Sequence, residues 1–127
     1  MNGTDKSGVK KGAEYAILTD LMLQTWSGMN TREYKRHKDL KKENLRDNMT
    51  NMELVLNMLA EAAATEISAA TQPDGFAASA AVARKGAETA KTARLQIEKD
   101  TGKPATSRLN AKDLRQRRLS PPDASEN

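Results

Sequence analysis

The sequence predicts an all-α fold, a small helical bundle of three main helices with short helical turns and disordered termini. Strand-forming residues are scarce between residues 13 and 100, where helix-favouring Ala, Leu, Met, Glu, Lys and Arg dominate. Apolar residues in this region recur at helical spacing. Turn signals containing Gly or Pro separate the region into three long helical stretches.

A chain of 127 residues suggests one domain. The segments 1–12 and 120–127 are polar, rich in Gly, Ser and Pro, and without apolar periodicity, so we expect them to be disordered. The predicted organisation is a disordered segment at 1–12, a helical domain at 13–100 and a basic C-terminal tail at 101–127. A short helix is predicted within that tail at 111–119.

The first main helix is predicted at 13–26, where apolar residues follow a helical period and Gly28 supplies a stop. The next segment, 30–48, has few apolar residues and many charges. Asn30 or Thr31 is a suitable cap for a brief helix there. This segment is therefore expected to form short turns between longer helices.

The second main helix, predicted at 50–70, has the clearest start signal, because Thr50 and Glu53 have the spacing of a capping box. It is apolar around most of its circumference, which is typical of a helix buried on most sides. Such burial also explains why residues 47–83 contain no Lys or Arg. The predicted structural core comprises Trp26, Met52, Val55, Leu56, Leu59 and Ile67.

The third main helix, predicted at 76–99, carries a row of Ala residues on one face. Small side chains allow neighbouring helices to approach closely, and such packing offsets the low helix propensity of Gly86. Gly102 is expected in the left-handed conformation that ends a helix, with Pro104 just beyond it. Asn110 is a suitable cap for the short helix that follows.

Catalytic and cofactor-binding patterns are absent from the sequence. The chain has no Cys and one histidine, His37, which we expect to be exposed in a basic loop. Capping explains Glu53, and a solvated strip explains Glu61. No nucleotide-binding, zinc-protease or hydrolase motif occurs. We therefore expect no enzyme activity, no cofactor and no metal.

No apolar run approaches the ~18 residues that span a membrane, so a cytoplasmic location is the default expectation.

Two basic segments, 32–46 and 108–118, are candidates for weak, direct contact with nucleic acid or with an acidic partner. A solvated surface explains them equally well. A third interpretation is a homodimerisation domain, because three helices are too few to cover so apolar a second helix. The candidate contact residues are Arg32, Lys35, Arg36, Lys38, Lys41, Lys42, Arg46, Arg108, Lys112, Arg115, Arg117 and Arg118.

The stretch LKKENLRDNMTNMELVLNMLAE (40–61) resembles the C-terminal region of the bacterial DNA-damage-inducible protein D family and of related phage antirepressors with a BRO-type N-terminal domain. The blocks KENLRDNM and LVLNMLAE are the most specific part of the match. Weaker similarity extends over roughly residues 13–114, including WSG, REYK and TGKP. The resemblance assigns no functional residues.

This resemblance implies a bacterial or prophage protein of the SOS damage response, or one that relieves phage repression, without enzyme activity or cofactor. Such proteins usually carry the BRO-type domain, thought to contact DNA, ahead of this region. Only about a dozen polar residues precede the first helix here, so the chain is expected to be a fragment or a stand-alone version of the module. That favours contact with a protein partner, either a damage-response protein or a phage repressor.

Overall fold

The protein is all-α over the residues that its structure, a computed structural model, describes: the backbone of 3–119 and the side chains of 12–117. Within that range there is no strand, and no helix is both long and apolar enough to cross a membrane. The elements are α1 (Gly3–Ser27), α2 (Thr31–His37), a 3₁₀ turn (Arg46–Asn48), α3 (Asn51–Thr71), α4 (Gly75–Thr101) and α5 (Ala111–Leu119).

The bounds of α1 differ from those predicted, because the helix begins at Gly3 and not at Ala13. Residues 3–12, for which disorder was expected, are helical and belong to α1. Residues 1–2 and 120–127 lie outside the described residues, so the disorder expected there stays a prediction. In contrast, α5 covers the same residues as the short helix predicted at 111–119. The start of α5 has a strong local signal, because Asn110, a suitable helix cap, immediately precedes it.

Capping residues set the ends of the inner helices. Asn30 and Glu33 form a capping box at the start of α2, with each side chain accepting the other's backbone N–H at 2.9 Å. Thr50 and Glu53 form the predicted box at the start of α3, at 2.9 and 3.3 Å. Gly102 ends α4 with a φ of 72°, in the left-handed conformation expected of it.

Helix α4 occupies the centre of the bundle and packs along both α1 and α3, while α1 and α3 contact each other little. The expectation that α3 is the buried central helix is therefore wrong. Small residues give α4 this position, because its buried face consists of Ala83, Gly86, Ala87 and Ala90. A Cβ atom added at Gly86 would lie 2.4 Å from the backbone nitrogen of Ala64. This confirms the predicted close helix contact.

The orientation of α3 corrects part of the predicted core. Trp26 and Leu56 are buried as expected, while Leu59 and Ile67 are only half-buried. Met52 and Val55 are instead exposed, at 40% and 53%. The physical reason is that polar residues on the opposite side of α3 find partners inside the bundle.

Two side chains of α3 show why this orientation is stable. Asn57 accepts a hydrogen bond from the indole nitrogen of Trp26 at 3.1 Å. Glu53 is fully buried and pairs with Lys38 at 2.7 Å. Because partners offset the cost of burying polar groups, these contacts allow Glu53 and Asn57 to face inward. Its apolar back is thereby turned to solvent.

Candidate functional site

The fold joins the two basic segments predicted from the sequence. The side-chain nitrogen of Asn110 donates to the carbonyl oxygen of Lys38 at 3.1 Å. The backbone N–H of Ala111 donates to the side-chain oxygen of Asn48 at 2.8 Å. The start of α5 therefore lies against the end of α2 and against the 3₁₀ turn. Two basic segments that are distant in the sequence therefore meet at Lys38 and Asn110.

One predicted contact residue, Lys38, is not available to any external partner. Its side chain is fully buried, and its ammonium group donates to Glu53 at 2.7 Å and to the carbonyl oxygen of Leu109 at 2.6 Å. It also lies 5.8 Å from the centre of the Tyr34 ring. A buried ammonium requires such partners because desolvation of a charge is expensive. Lys38 is a structural residue and not a contact residue.

Glu53 is the acceptor at the centre of a buried cluster formed by Tyr34, Lys38 and Glu53. Besides Lys38, its carboxylate accepts the hydroxyl of Tyr34, the backbone N–H of Thr50 at 2.9 Å and that of Ser107 at 3.2 Å. Burial raises the pKa of Tyr34 far above its ordinary value, and the hydrogen bond to Glu53 raises it further. Tyr34 is therefore a neutral donor in the folded protein.

An open cleft of about 630 Å³ lies along α2 and the loop that follows it. Four predicted contact residues line this basic cleft, namely Arg32, Lys35, Arg36 and Lys41, together with Asp39. None of the four cations forms an ion pair with a residue in the described part of the chain. Arg32, Arg36 and Lys41 are exposed, and Lys35 is half-buried. The cleft therefore offers net positive charge to solvent.

The other predicted contact residues fall into three groups. Lys42 is exposed beside the cleft. Arg46 pairs with Glu61 on α3 at 3.2 Å and is partly neutralised. On the C-terminal side, the exposed cations are Arg108, Lys112, Arg115 and Arg117. The side chain of Arg118 lies outside the described residues.

An exposed apolar stripe runs along α3 on the side away from α4. Val55, Met58, Ala62 and Ala69 are all exposed and recur at spacings of three, four and seven residues, which places them on one face of the helix. Val55 and Met58 are 53% and 46% exposed, and Met52 adjoins them. This stripe was not predicted from the sequence, because Met52 and Val55 were assigned to the core.

The remaining candidate for chemistry, His37, is half-buried at the end of α2, and not exposed in a loop as expected. Its ring lies edge-on to Tyr34, with 6.4 Å between ring centres. Its Nε2 atom has no hydrogen-bond partner among the described residues. Within residues 12–117 no cluster of His, Asp and Glu is arranged to hold a metal ion.

The role of Glu53 as the acceptor of the buried cluster was not predicted from the sequence, which indicated only its capping role. The signal was present in part, since a capping box places a carboxylate at a known position. Nothing local marks Lys38 as its partner, because the two residues are separated by 15 positions and lie on different elements.

Comparisons with protein-family models, with curated proteins and with solved structures give no match for this chain.

Proposed function

We propose that this protein is a non-enzymatic interaction module that binds a partner protein through the apolar stripe of α3. The observation that carries the proposal is the exposure of Val55 and Met58 on one face of a well-capped helix. Exposed apolar residues scattered singly are ordinary, whereas a continuous stripe at helical spacing is typical of an interaction surface. An amphipathic helix of a partner fits such a surface.

Charge defines the chemistry of that partner. Residues 47–83 contain no Lys or Arg, and two of their five acidic residues, Glu53 and Glu61, already pair with cations of this chain. Glu66 is exposed one helical turn from Ala62 and borders the stripe. The complementary surface is an apolar helix face bordered by Lys or Arg. A second copy of this chain fits less well, because it carries the same acidic side chain, Glu66, beside its own stripe.

The resemblance of residues 40–61 to the damage-inducible and antirepressor proteins supports a biological setting for this contact. In that setting the partner is a protein of the DNA-damage response or a phage repressor. The stripe lies partly within the resembling segment, since Val55 and Met58 belong to the block LVLNMLAE. The proposed role is thus to bind such a partner and change its activity by occupying its surface.

The test compares two double variants that remove equal numbers of exposed apolar side chains. Val55→Ser/Met58→Ser changes the stripe, and Ile17→Ser/Leu95→Ser changes exposed residues of α1 and α4. Each is used as bait in bacterial cells with and without DNA damage, after melting curves show that both are folded. Captured proteins are then purified, and their binding is measured by calorimetry.

The expected result is a purified partner that binds the wild type and the control variant, and binds the stripe variant at least about tenfold more weakly. Its binding should show a negative heat-capacity change, because apolar surface is buried. Equal binding to both variants would exclude the stripe. A dimer seen by light scattering that dissociates in the stripe variant, with a concentration-dependent melting temperature, would replace the proposal by homodimerisation.

A further inference from the structure

We propose that the basic cleft of α2 and the adjoining α5 segment form a second binding surface, which holds the phosphate backbone of nucleic acid without reading its sequence. This surface is independent of the apolar stripe, and its existence does not depend on the proposed protein partner. It uses Arg32, Lys35, Arg36 and Lys41 in the cleft. The exposed cations of residues 108–117 extend it.

The excess of cations over acids in the cleft points to an external anion. Among nearby acids, Glu33 accepts the backbone N–H of Asn30, and Glu43 accepts the backbone N–H groups of Lys41 and Lys42 and interacts with the charge of Lys41. These hydrogen bonds hold the two carboxylates at the backbone, where they shape the loop. Asp39 is the single acid that lines the cleft. Four cations against one carboxylate leave a surface that favours several negative charges at once.

The contact between the two basic segments favours an extended ligand over a small one. Lys38, whose carbonyl oxygen accepts the side chain of Asn110, immediately precedes the residues that line the cleft. The segment that carries Arg108 and Lys112 is therefore held against the chain at the residue next to the cleft. A basic tract built from two segments matches a ligand with regularly repeated charges, and the planar guanidinium of Arg suits phosphate oxygens.

The positions of the aromatic residues favour phosphate contacts over base stacking as the mode of binding. Trp26 and Tyr34 are fully buried, with their ring centres 6.2 Å apart. They are therefore not available as platforms on which unpaired bases stack. No aromatic residue lines the cleft. Phosphate contacts alone should bind single strands and duplexes of any sequence, with strong dependence on salt.

The experiment measures fluorescence anisotropy with two unrelated duplexes, their single strands and a polyglutamate peptide of similar length, across a salt series. One variant carries Arg32→Gln, Arg36→Gln and Lys41→Gln. Its matched control carries Arg84→Gln, Lys85→Gln and Lys91→Gln on α4, where all three side chains are exposed. The two variants have the same net charge, so the main difference between them is the position of the lost charge.

The expected affinity of the wild type is weak, with a Kd of roughly 10⁻⁴–10⁻⁶ M at physiological salt and no preference between the two sequences. The cleft variant should lose about tenfold or more in affinity. Its logarithmic salt slope should fall by up to about three units, because each phosphate contact contributes about 0.9. The control should keep the wild-type slope to within about one unit.

Three results would overturn the proposal. Nucleic acid that fails to bind even at low salt excludes the surface. Equal loss in the cleft variant and its control shows that net charge, and not this surface, is responsible. Binding of polyglutamate as tight as that of nucleic acid assigns the cleft to an acidic protein segment.

Discussion

At the scale of single residues, the ion pair between Lys38 and Glu53 connects three parts of the chain. Lys38 belongs to the end of α2, Glu53 to the start of α3, and both bond the backbone of residues 107–109. A buried pair of this kind adds little net stability over an apolar pair. Replacing only one of the two residues is nevertheless costly, since the charge of the other is then left without a partner.

The variant Lys38→Met tests this arrangement. It should lower the free energy of unfolding by ~3–5 kcal/mol, because Glu53 stays buried and loses its ion-pair partner. Lys42→Met is the control, since Lys42 is exposed, and should change stability by no more than about 0.5 kcal/mol. Adding Glu53→Gln to Lys38→Met should restore part of the loss. Urea denaturation measures all four proteins, and equal stability of the two Lys variants would contradict the buried pair.

The hydroxyl of Tyr34 predicts how stability depends on pH. Burial, together with the bond to Glu53, raises the pKa of Tyr34 in the folded protein above the value of about 10 expected when unfolded. The stabilising contribution is therefore complete below pH ~10 and is lost as the pH rises above it. Its slope is about 1.4 kcal/mol per pH unit.

Urea midpoints of the wild type and of Tyr34→Phe between about pH 9 and 11 measure this contribution, because other groups titrate equally in both. The wild type should lose stability more steeply than the variant. Tyr15→Phe serves as the control, since Tyr15 is 69% exposed, and it should keep the wild-type slope. Parallel slopes for wild type and Tyr34→Phe would show that the hydroxyl is accessible in the folded state.

Gly86 provides a prediction about helix packing. Gly86→Ala should destabilise the protein by ~1–3 kcal/mol, although Ala favours helices by about 1 kcal/mol. The added Cβ would lie 2.4 Å and 2.6 Å from backbone atoms of Ala64, which no rotamer change can relieve. Gly12→Ala is the matched control, because no atom lies within 4 Å of its Cβ position. It should be neutral or stabilising, and a stabilising Gly86→Ala would exclude close packing of α3 on α4.

At the scale of elements, the sequence predicted where the helices end, but it did not predict which face of α3 is buried. The capping box of Thr50 and Glu53 and the left-handed Gly102 depend on neighbours within a few positions, so local patterns identify them. The orientation of α3 depends on what packs against it. Because α3 is apolar on nearly all sides, its periodicity does not distinguish an inner face from an outer one.

Adjacent residues of α3 test the observed orientation. Leu56 is 1% exposed, and Leu56→Ala should cost ~2–5 kcal/mol in unfolding free energy. Val55 is 53% exposed, and Val55→Ala should change stability by less than about 0.5 kcal/mol. Leu59, half-buried, should lie between them. Guanidinium denaturation gives the order, and a larger loss at Val55 than at Leu56 would mean that α3 is rotated relative to the structure.

At the scale of the whole molecule, the bundle has two surfaces of opposite character. The stripe of α3 is apolar with Glu66 beside it, and the α2–α5 end is basic. The sequence showed the separation of charge directly, since residues 47–83 lack cations. It did not show that the C-terminal segment contacts the rest. Those contacts join residues 54 to 72 positions apart, and no local pattern encodes them.

Truncation after Pro104 tests whether this C-terminal segment is part of the cooperative fold. Removing it deprives Glu53 of the N–H of Ser107 and Lys38 of the carbonyl oxygen of Leu109. Because hydrogen bonds to charged groups contribute more than neutral ones, the loss should be about 2–4 kcal/mol and the melting temperature should fall.

Truncation also removes positive charge, so a second variant separates charge from contact. It keeps the full chain and replaces the exposed cations by Gln at Arg108, Lys112, Arg115 and Arg117. Its backbone bonds to the buried cluster remain, and its stability should therefore stay near that of the wild type. Calorimetry of the three proteins measures the difference. If the truncated chain melts like the full one, the buried pair does not need the C-terminal segment. If the Gln variant melts like the truncated chain, side-chain charge and not backbone contact holds the segment in place.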